Sequence, residues 1–534
     1  MKRSTPIDTE HPIEHETSPS DGAGDDSGGE HYSFVVISNR LPVDRATKPD
    51  GTQDWKPSPG GLVTALEPVM RSNDGAWIGW TGLADDPTAP FDADGLRLIP
   101  VELHADEVEQ YYEGFSNDTL WPLYHDVIAQ PSYHRPWWDS YKEVNRRFAA
   151  VAADIAAPGA TVWVQDYQLQ LVPKLLREAR PDLTIGFFNH IPFPAYGIYS
   201  QLPWRAQIVE GLLGADLIGF QRRADAGNFA RAVRRLFHLQ TKDGRIALPA
   251  AGSGVWPNSG SERGRTVRAR HFPISIDSAS YVALAKRADV QARAAQIRRD
   301  LGNPSTIMLG VDRLDYTKGI GHRIAAYAEL LAEQKLDVDD TVLVQIASPS
   351  RERVESYRSL RDEIELTVGR VNGDFGTIKH SAINYLHHGY PREEMVALFL
   401  AADIMLVTAL RDGMNLVAKE YVAARHDDDG VLVLSEFAGA ADELRQALLV
   451  NPHDIEGLKR AILNAVHMPR SERRQRMRAL RRRVLEHDVE RWSTEFLSAL
   501  RRAREERHLT VTSVPEDQGL EDQGLTDQMS GSEG

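Results

Sequence analysis

A chain of 534 residues with a formal net charge of −15 and no cysteine is too long for a single core at roughly 150 residues per domain. The missing cysteine excludes disulfides, thiolate catalysis and cysteine-bound zinc. The charge sits at the ends: residues 1–30 hold eight acids and two bases, residues 511–534 hold six acids and no base, so the tails carry −12 and the body −3. A nearly neutral body offers no general field for nucleic acid, and an anionic substrate has to be held by a few placed cations.

No apolar run reaches the roughly 18 residues of a membrane span; the longest candidate, 397–410, is broken by Asp403. The first residues lack the apolar stretch of a secretory signal, so the expectation is a soluble cytoplasmic protein of two large α/β domains. Residues 1–30, rich in Ser, Pro, Gly and acids, are expected to be disordered. Ser33 to Ser38 reads as a buried parallel strand, which puts Arg40 at a carboxyl end, the edge where open α/β sheets take ligands. Gly60-Gly61 then opens a helix and lets backbone amides approach a ligand closely, or is a plain turn. In the aromatic-rich stretch 77–141, Tyr111-Tyr112 and Trp121 flank Phe115-Ser116-Asn117, read as a polar loop. Aromatic faces beside hydroxyl donors suit a sugar, although most of these rings are expected to be packing.

Strands at Thr161–Gln165 and Thr184–Phe188 with a helix over 168–179 between them make a βαβ unit. Asp166-Tyr167 ends the first, and Asn189-His190 followed by Ile191-Pro192-Phe193-Pro194 ends the second, leaving His190 as a ligand contact or a structural hydrogen-bonder. Ala215 to Gln221 is a further strand, and a domain boundary is expected near 272–277, after a polar insert at 251–265.

The second half repeats the rhythm. A strand over 306–311 runs into Asp312-Arg313-Leu314-Asp315-Tyr316-Thr317-Lys318-Gly319, where Arg313 and Lys318 form a cation pair suited to a diphosphate. A strand over 341–347 leads to Arg351. Loops are expected at 368–373 and 387–391, the latter with adjacent histidines at a poor metal spacing. The run Ile404 to Val407 is a buried strand, followed by Arg411-Asp412-Gly413-Met414-Asn415 and a helix through Leu416, Val417, Ala418, Lys419 and Glu420. Free amides at Met414 to Val417 can cradle an anion, with Asp412 and Glu420 placed to accept from hydroxyls; the plainer reading makes Asp412 the helix cap. Strands at 431–434 and 447–450 come last. Residues 471–507 form one or two basic amphipathic helices whose interleaved glutamates point to a solvated face, and the tail repeats Glu-Asp-Gln-Gly-Leu.

Ser38-Asn39-Arg40-Leu41-Pro42, Pro59-Gly60-Gly61-Leu62, Phe187 through Pro194, Asp312 through Gly319 and Leu410 through Glu420, in that order, closely resemble the trehalose-6-phosphate synthase family, glycosyltransferase family 20. The resemblance implies a GT-B architecture, two Rossmann-like domains facing across a cleft, with no metal or other cofactor. The implied boundaries are 31–275 for the acceptor domain, 276–485 for the nucleotide-sugar domain, and 486–507 for a helix packing back on the first. It implies glucose transfer, with retention, from a nucleoside diphosphate glucose to glucose 6-phosphate. Arg40, Tyr112, Trp121, Asp166 and Arg351 then hold the acceptor. Asp166, His190 and Asp412 contact sugar hydroxyls, and Arg313 and Lys318 bind the diphosphate. Gly60, Gly61, Tyr390 and Leu416 to Glu420 take up the donor, Glu420 through the ribose. No nucleic acid or membrane partner is implied, and a homo-oligomer is. Asn189 stands where the family often has Leu; the 387–390 loop, in the base-binding neighbourhood, also varies, so uridine and adenine donors both stay open. So do front-face and double-displacement routes.

Overall fold

The computed structural model describes residues 30–47, 53–57, 75–250 and 264–506, with positions 63, 66, 67 and 69–71. The expectations for 1–29, Gly60-Gly61, most of the 251–265 insert and the Glu-Asp-Gln-Gly-Leu tail lie outside them. Eighteen strands are present among the described residues. In chain order they are β1 (Tyr32–Arg40), β2 (Val43–Thr47), β3 (Gln53–Pro57), β4 (Ala76–Trp80), β5 (Phe91–Ala93), β6 (Leu96–Pro100), β7 (Ala156–Gln165), β8 (Thr184–Asn189), β9 (Leu217–Phe220), β10 (Thr241–Lys242), β11 (Arg245–Leu248) and β12 (Arg265–His271), then β13 (Thr306–Arg313), β14 (Thr341–Ser348), β15 (Ile383–Leu386), β16 (Ile404–Val407), β17 (Val431–Ser435) and β18 (Leu448–Val450).

They form two main sheets. The first is ordered β10-β11-β12-β9-β8-β7-β1-β4-β6-β5 and the second β15-β14-β13-β16-β17-β18; β2 and β3 pair as a separate hairpin. The second sheet is parallel throughout. The first has a parallel centre with antiparallel pairs only at its ends, β10-β11-β12 and β5-β6. Central strands such as β8 and β16 are buried along their whole length, as helices on both faces of a parallel sheet require.

Parallel strands bring all carboxyl ends of a sheet to one edge, and the polar residues of interest follow those ends. Arg40 and Arg313 close β1 and β13. Asp166 follows β7, His190 follows β8, Arg351 lies three residues past β14, and Asp412 five past β16. After β12 the chain passes from the first sheet to the second. It returns through the helix Val489–Glu506, which covers the first sheet: Trp163 lies 5.2 Å from Trp492 and 4.5 Å from Phe496, ring to ring, and Trp492 Nε1 donates to the Phe272 carbonyl at 3.2 Å.

Several local expectations are corrected. The segment 368–373, read as a loop for its glycines, lies inside the helix Glu355–Phe375, because Ile364, Val368 and Val371 recur on one buried face and outweigh the cost of two helical glycines. Phe115-Ser116-Asn117 is no polar loop. It lies buried in a π-type helix, Val108–Leu120, whose wide turns are closed by i→i−5 bonds such as Trp121 N–H to the Ser116 carbonyl; such segments recur at functional sites. The helix after β7 begins at Val172, past a short 3₁₀ turn at Tyr167–Leu169.

Candidate functional site

The site is assembled where the two carboxyl edges meet. Trp121 stands at its centre, at the first turn of the short helix Trp121–Tyr124 that continues the π-type segment. Two cations of the second sheet lie over its indole: the Arg351 guanidinium at 3.9 Å from the ring centroid and that of Arg313 at 5.4 Å, both within reach of a cation–π attraction. The indole Nε1 is buried and has no acceptor among the described residues.

Arg351 is held on all sides. It donates to Asp315 Oδ2 at 3.2 Å, to the Tyr167 hydroxyl of the first sheet at 3.2 Å, and to the Tyr357 hydroxyl. Tyr357 in turn donates to Asp315 at 3.0 Å, and Tyr167 to Asn117 at 2.7 Å. Burial pushes the Asp315 carboxyl up, but Arg351, Arg313 and Lys318 outweigh it and hold the group below the usual carboxylate range. Arg313 is the opposite case: it is exposed, with no hydrogen-bond or ion-pair partner among the described residues. A fixed arginine and an uncommitted one thus share one aromatic platform.

Lys318, at the end of a 3₁₀ turn, donates to Asp412 Oδ2 at 2.6 Å, and Asn415 Nδ2 reaches the same oxygen at 3.2 Å. Despite its burial, Asp412 is held low by Lys318. Asn415, not Asp412, caps the helix Leu416–Ala424, accepting from Ala418 N–H at 3.0 Å from a left-handed backbone. The amides of Met414 to Val417 have no acceptor among the described residues, the condition of an open helix start. The turn before them runs against the first sheet's loops, since a Cβ on Gly413 would run into the His190 carbonyl. Only glycine permits that approach.

Asp166 adopts a positive φ of 72° and accepts from His190 N–H at 3.1 Å. Burial raises its pKa to about 6 against those amide bonds and the charges of Arg313 and Arg351. His190 is half-buried, and desolvation pushes it down to about 3, so it is neutral. Its Nε2 is 2.9 Å from Gln165 Oε1 and its Nδ1 3.4 Å from Gln221 Nε2. Both ring nitrogens are therefore engaged within the first sheet's own loops, the structural alternative for this residue. At the outer end, Arg40 pairs with Asp44 at 2.7 Å and lies 5.2 Å over Trp80, whose other neighbour, at 5.5 Å, is Tyr112.

The donor-side residues are less uniform. Glu420 lies beside Tyr281 and is raised by burial. Tyr390 lies against His388 at 4.5 Å. Leu416 and Val417 are half-buried. Lys419 turns its side chain away from the helix start. Its ammonium is buried and committed to Glu443 at 2.6 Å and to the Ile274 carbonyl at 2.7 Å, so only its backbone remains for a ligand. Reading the sequence also missed Asp315, Tyr167 and Tyr357. Asp315-Tyr316-Thr317 carried a local signal, an Asp accepting from the amide two residues on, here at 2.9 Å; Tyr357, inside a helix, carried none.

A second contact joins the two halves beside the site. Arg411 Nε lies 3.1 Å from Asp126 and its terminal nitrogen 3.8 Å from the fully buried Asp225, while Arg222 grips Asp442 with bonds of 2.8 and 2.7 Å. At 3.8 Å Arg411 is too far to donate to Asp225; burial wins, raising that carboxyl to about 6. Between about pH 4 and pH 6 the unfolded chain has lost this proton while the folded one keeps it, so this group makes stability fall as pH rises through that range. Asp225→Asn removes the term. Its melting temperature relative to the parent is expected to climb from pH 4 to pH 6 and then level, as read by calorimetry; a difference independent of pH refutes the assignment.

The family model described as glycosyltransferase family 20 matches residues 32–502. The chain belongs to glycosyltransferase family 20. A trehalose-6-phosphate synthase of Mycolicibacterium smegmatis is 60% identical over 467 residues, covering 88% of this chain and 92% of its own. Among solved structures, an α,α-trehalose-phosphate synthase (UDP-forming) of Burkholderia xenovorans in complex with glucose-6-phosphate is 33% identical, with a TM-score of 0.78 over 89% of this chain and all of the other. An E. coli protein bound with UDP-2-fluoro glucose is 32% identical, with the same TM-score over 88% and 98%. As a family 20 glycosyltransferase of GT-B fold, the chain has its two sheets as the facing halves, and the Trp121 platform lies between them. No helix among the described residues is long and apolar enough to cross a membrane.

Proposed function

We propose that this glycosyltransferase moves glucose from a nucleoside diphosphate glucose to glucose 6-phosphate with retention at the donor carbon, giving α,α-trehalose 6-phosphate. One observation carries the reading: an indole of one half lies under two guanidinium groups of the other, one locked and one uncommitted. Two phosphorylated sugars brought together need such a pair of cation positions. The relatives and neighbours named above, with their glucose-6-phosphate and UDP-2-fluoro glucose complexes, favour the same two substrates.

In this reading Arg351, Arg40, Tyr112 and Trp121 receive the sugar phosphate, with Asp166 and His190 lining the sugar. Arg313, Lys318 and the free amides at the start of the helix Leu416–Ala424 receive the diphosphate, Glu420 the ribose, and Tyr390 the neighbourhood of the base. Charge develops on the leaving diphosphate, so Arg313 and Lys318 contribute most if their bonds strengthen as the sugar departs. Asp412 is tied to Lys318 and Asn415, and Asp166 accepts from a backbone amide. Neither is an unencumbered nucleophile, which favours a front-face route in which the departing phosphate takes the acceptor proton. The test is incubation with glucose 6-phosphate and UDP-glucose or ADP-glucose in turn, with the product identified by mass and by anomeric NMR couplings. An α,α-linked disaccharide phosphate with either donor supports the reading; none with both refutes it.

A further inference from the structure

Immediately behind the platform, His125 follows the helix Trp121–Tyr124 and is 1% exposed. Its ring centroid lies 4.2 Å from that of Trp121, nearer than any other aromatic neighbour of that indole. Its Nδ1 is 2.8 Å from the Trp121 carbonyl, which can only accept. Nδ1 therefore carries the proton, and the ring is tied to the same residue it packs against. Nε2 has no hydrogen-bond partner among the described residues, so the ring's hydrogen bonding runs through Trp121.

We propose that His125 is a positioning residue, a neutral wedge that sets the Trp121 indole in the orientation where it meets Arg351 and Arg313. The bland reading of a buried histidine is a satisfied core group, yet this one has half of its hydrogen-bonding capacity unused and sits against the residue on which both halves converge. Protonation would place another cation beside Arg313, Arg351 and Lys318. Burial opposes that, pulling the group down to about 4, with Lys318 adding to the effect and Asp315 and Asp412, the carboxylates facing it from the second half, resisting it. The wedge is thus neutral wherever the protein is folded near neutral pH.

The proposal deepens the transfer reading and rests on it only for the kinetic part of its test. His125→Ala is expected to lower kcat/KM for glucose 6-phosphate by about 100-fold, the scale of an ångström-level misplacement, with the KM for the nucleotide sugar little changed, because Arg351 is the nearer of the two cations. His125→Phe keeps a ring in place and is expected to recover most of that loss. A Phe variant as poor as Ala, or equal losses toward both substrates, overturns the proposal. The crystal structure of the Ala variant reads positioning directly: a rotated indole with Arg351 beyond about 6 Å of its centroid is expected, and an unchanged 3.9 Å overturns it. Absence of product from the unmodified protein would sink the transfer reading alone, leaving this structural result to decide the role of His125.

Discussion

Lys318→Ala is expected to lower turnover by about 10²–10³-fold, the usual loss on removing one group aimed at developing charge, while the KM for glucose 6-phosphate moves only a few fold. The expectation follows from where the ammonium sits. It is nearly buried, paired with Asp412 at 2.6 Å, beside open amides that can hold a diphosphate, and it makes no hydrogen bond to Arg351 or its tyrosines. Steady-state kinetics with each substrate varied in turn check it. Unchanged turnover removes Lys318 from the chemistry, and a large rise in acceptor KM moves it to the other subsite.

Arg351 and Arg313 are expected to separate stability from activity although they share one indole. Arg351→Met leaves the fully buried Asp315 facing an apolar side chain. Breaking a buried pair in this way costs about 3–5 kcal/mol, softened here by the bonds Asp315 keeps from Tyr357 and Thr317. The Asp315 carboxyl is held low in the fold, so its favourable contribution is present above its unfolded pKa and is lost as pH falls below that value. The stability deficit of Arg351→Met should therefore be largest near neutrality and shrink in acid. Arg313→Met removes an exposed, unpartnered cation and should shift stability by no more than about 0.5 kcal/mol, yet cut kcat/KM severely. Denaturation curves at two pH values with parallel rate measurements check both. Equal stability losses would mean that the locked and uncommitted states of the two arginines are wrongly assigned.

The cations were legible in the sequence because parallel strands announce themselves as continuous apolar runs, and whatever follows the run lies at the carboxyl edge. Arg40, Arg313 and Arg351 needed no more than that. Trp121 was legible as one of the aromatic faces beside a supposed polar loop, but only the resemblance set it apart from Trp138 and Tyr141, which are core. The partners of Arg351 were hidden for different reasons: Tyr167 reaches it from the other half, a meeting no local spacing encodes, and Tyr357, six residues on in the first turn of the next helix, has nothing in its spacing to mark it. Two misses were avoidable. Asp243-Gly244 between β10 and β11 is a tight-turn signal of the strongest kind, and Ala76-Trp77-Ile78-Gly79-Trp80 is a short buried run passed over while its aromatics were counted.

The account stands on cations of both halves gripping two phosphorylated sugars in one cleft. A crystal structure with UDP and glucose 6-phosphate bound together tests this most directly. It should place the diphosphate within hydrogen-bond reach of Arg313 and Lys318, and the sugar phosphate on Arg40 and Arg351 beside Trp121. Either phosphate bound away from these side chains, on an outer face of one half, would contradict the account.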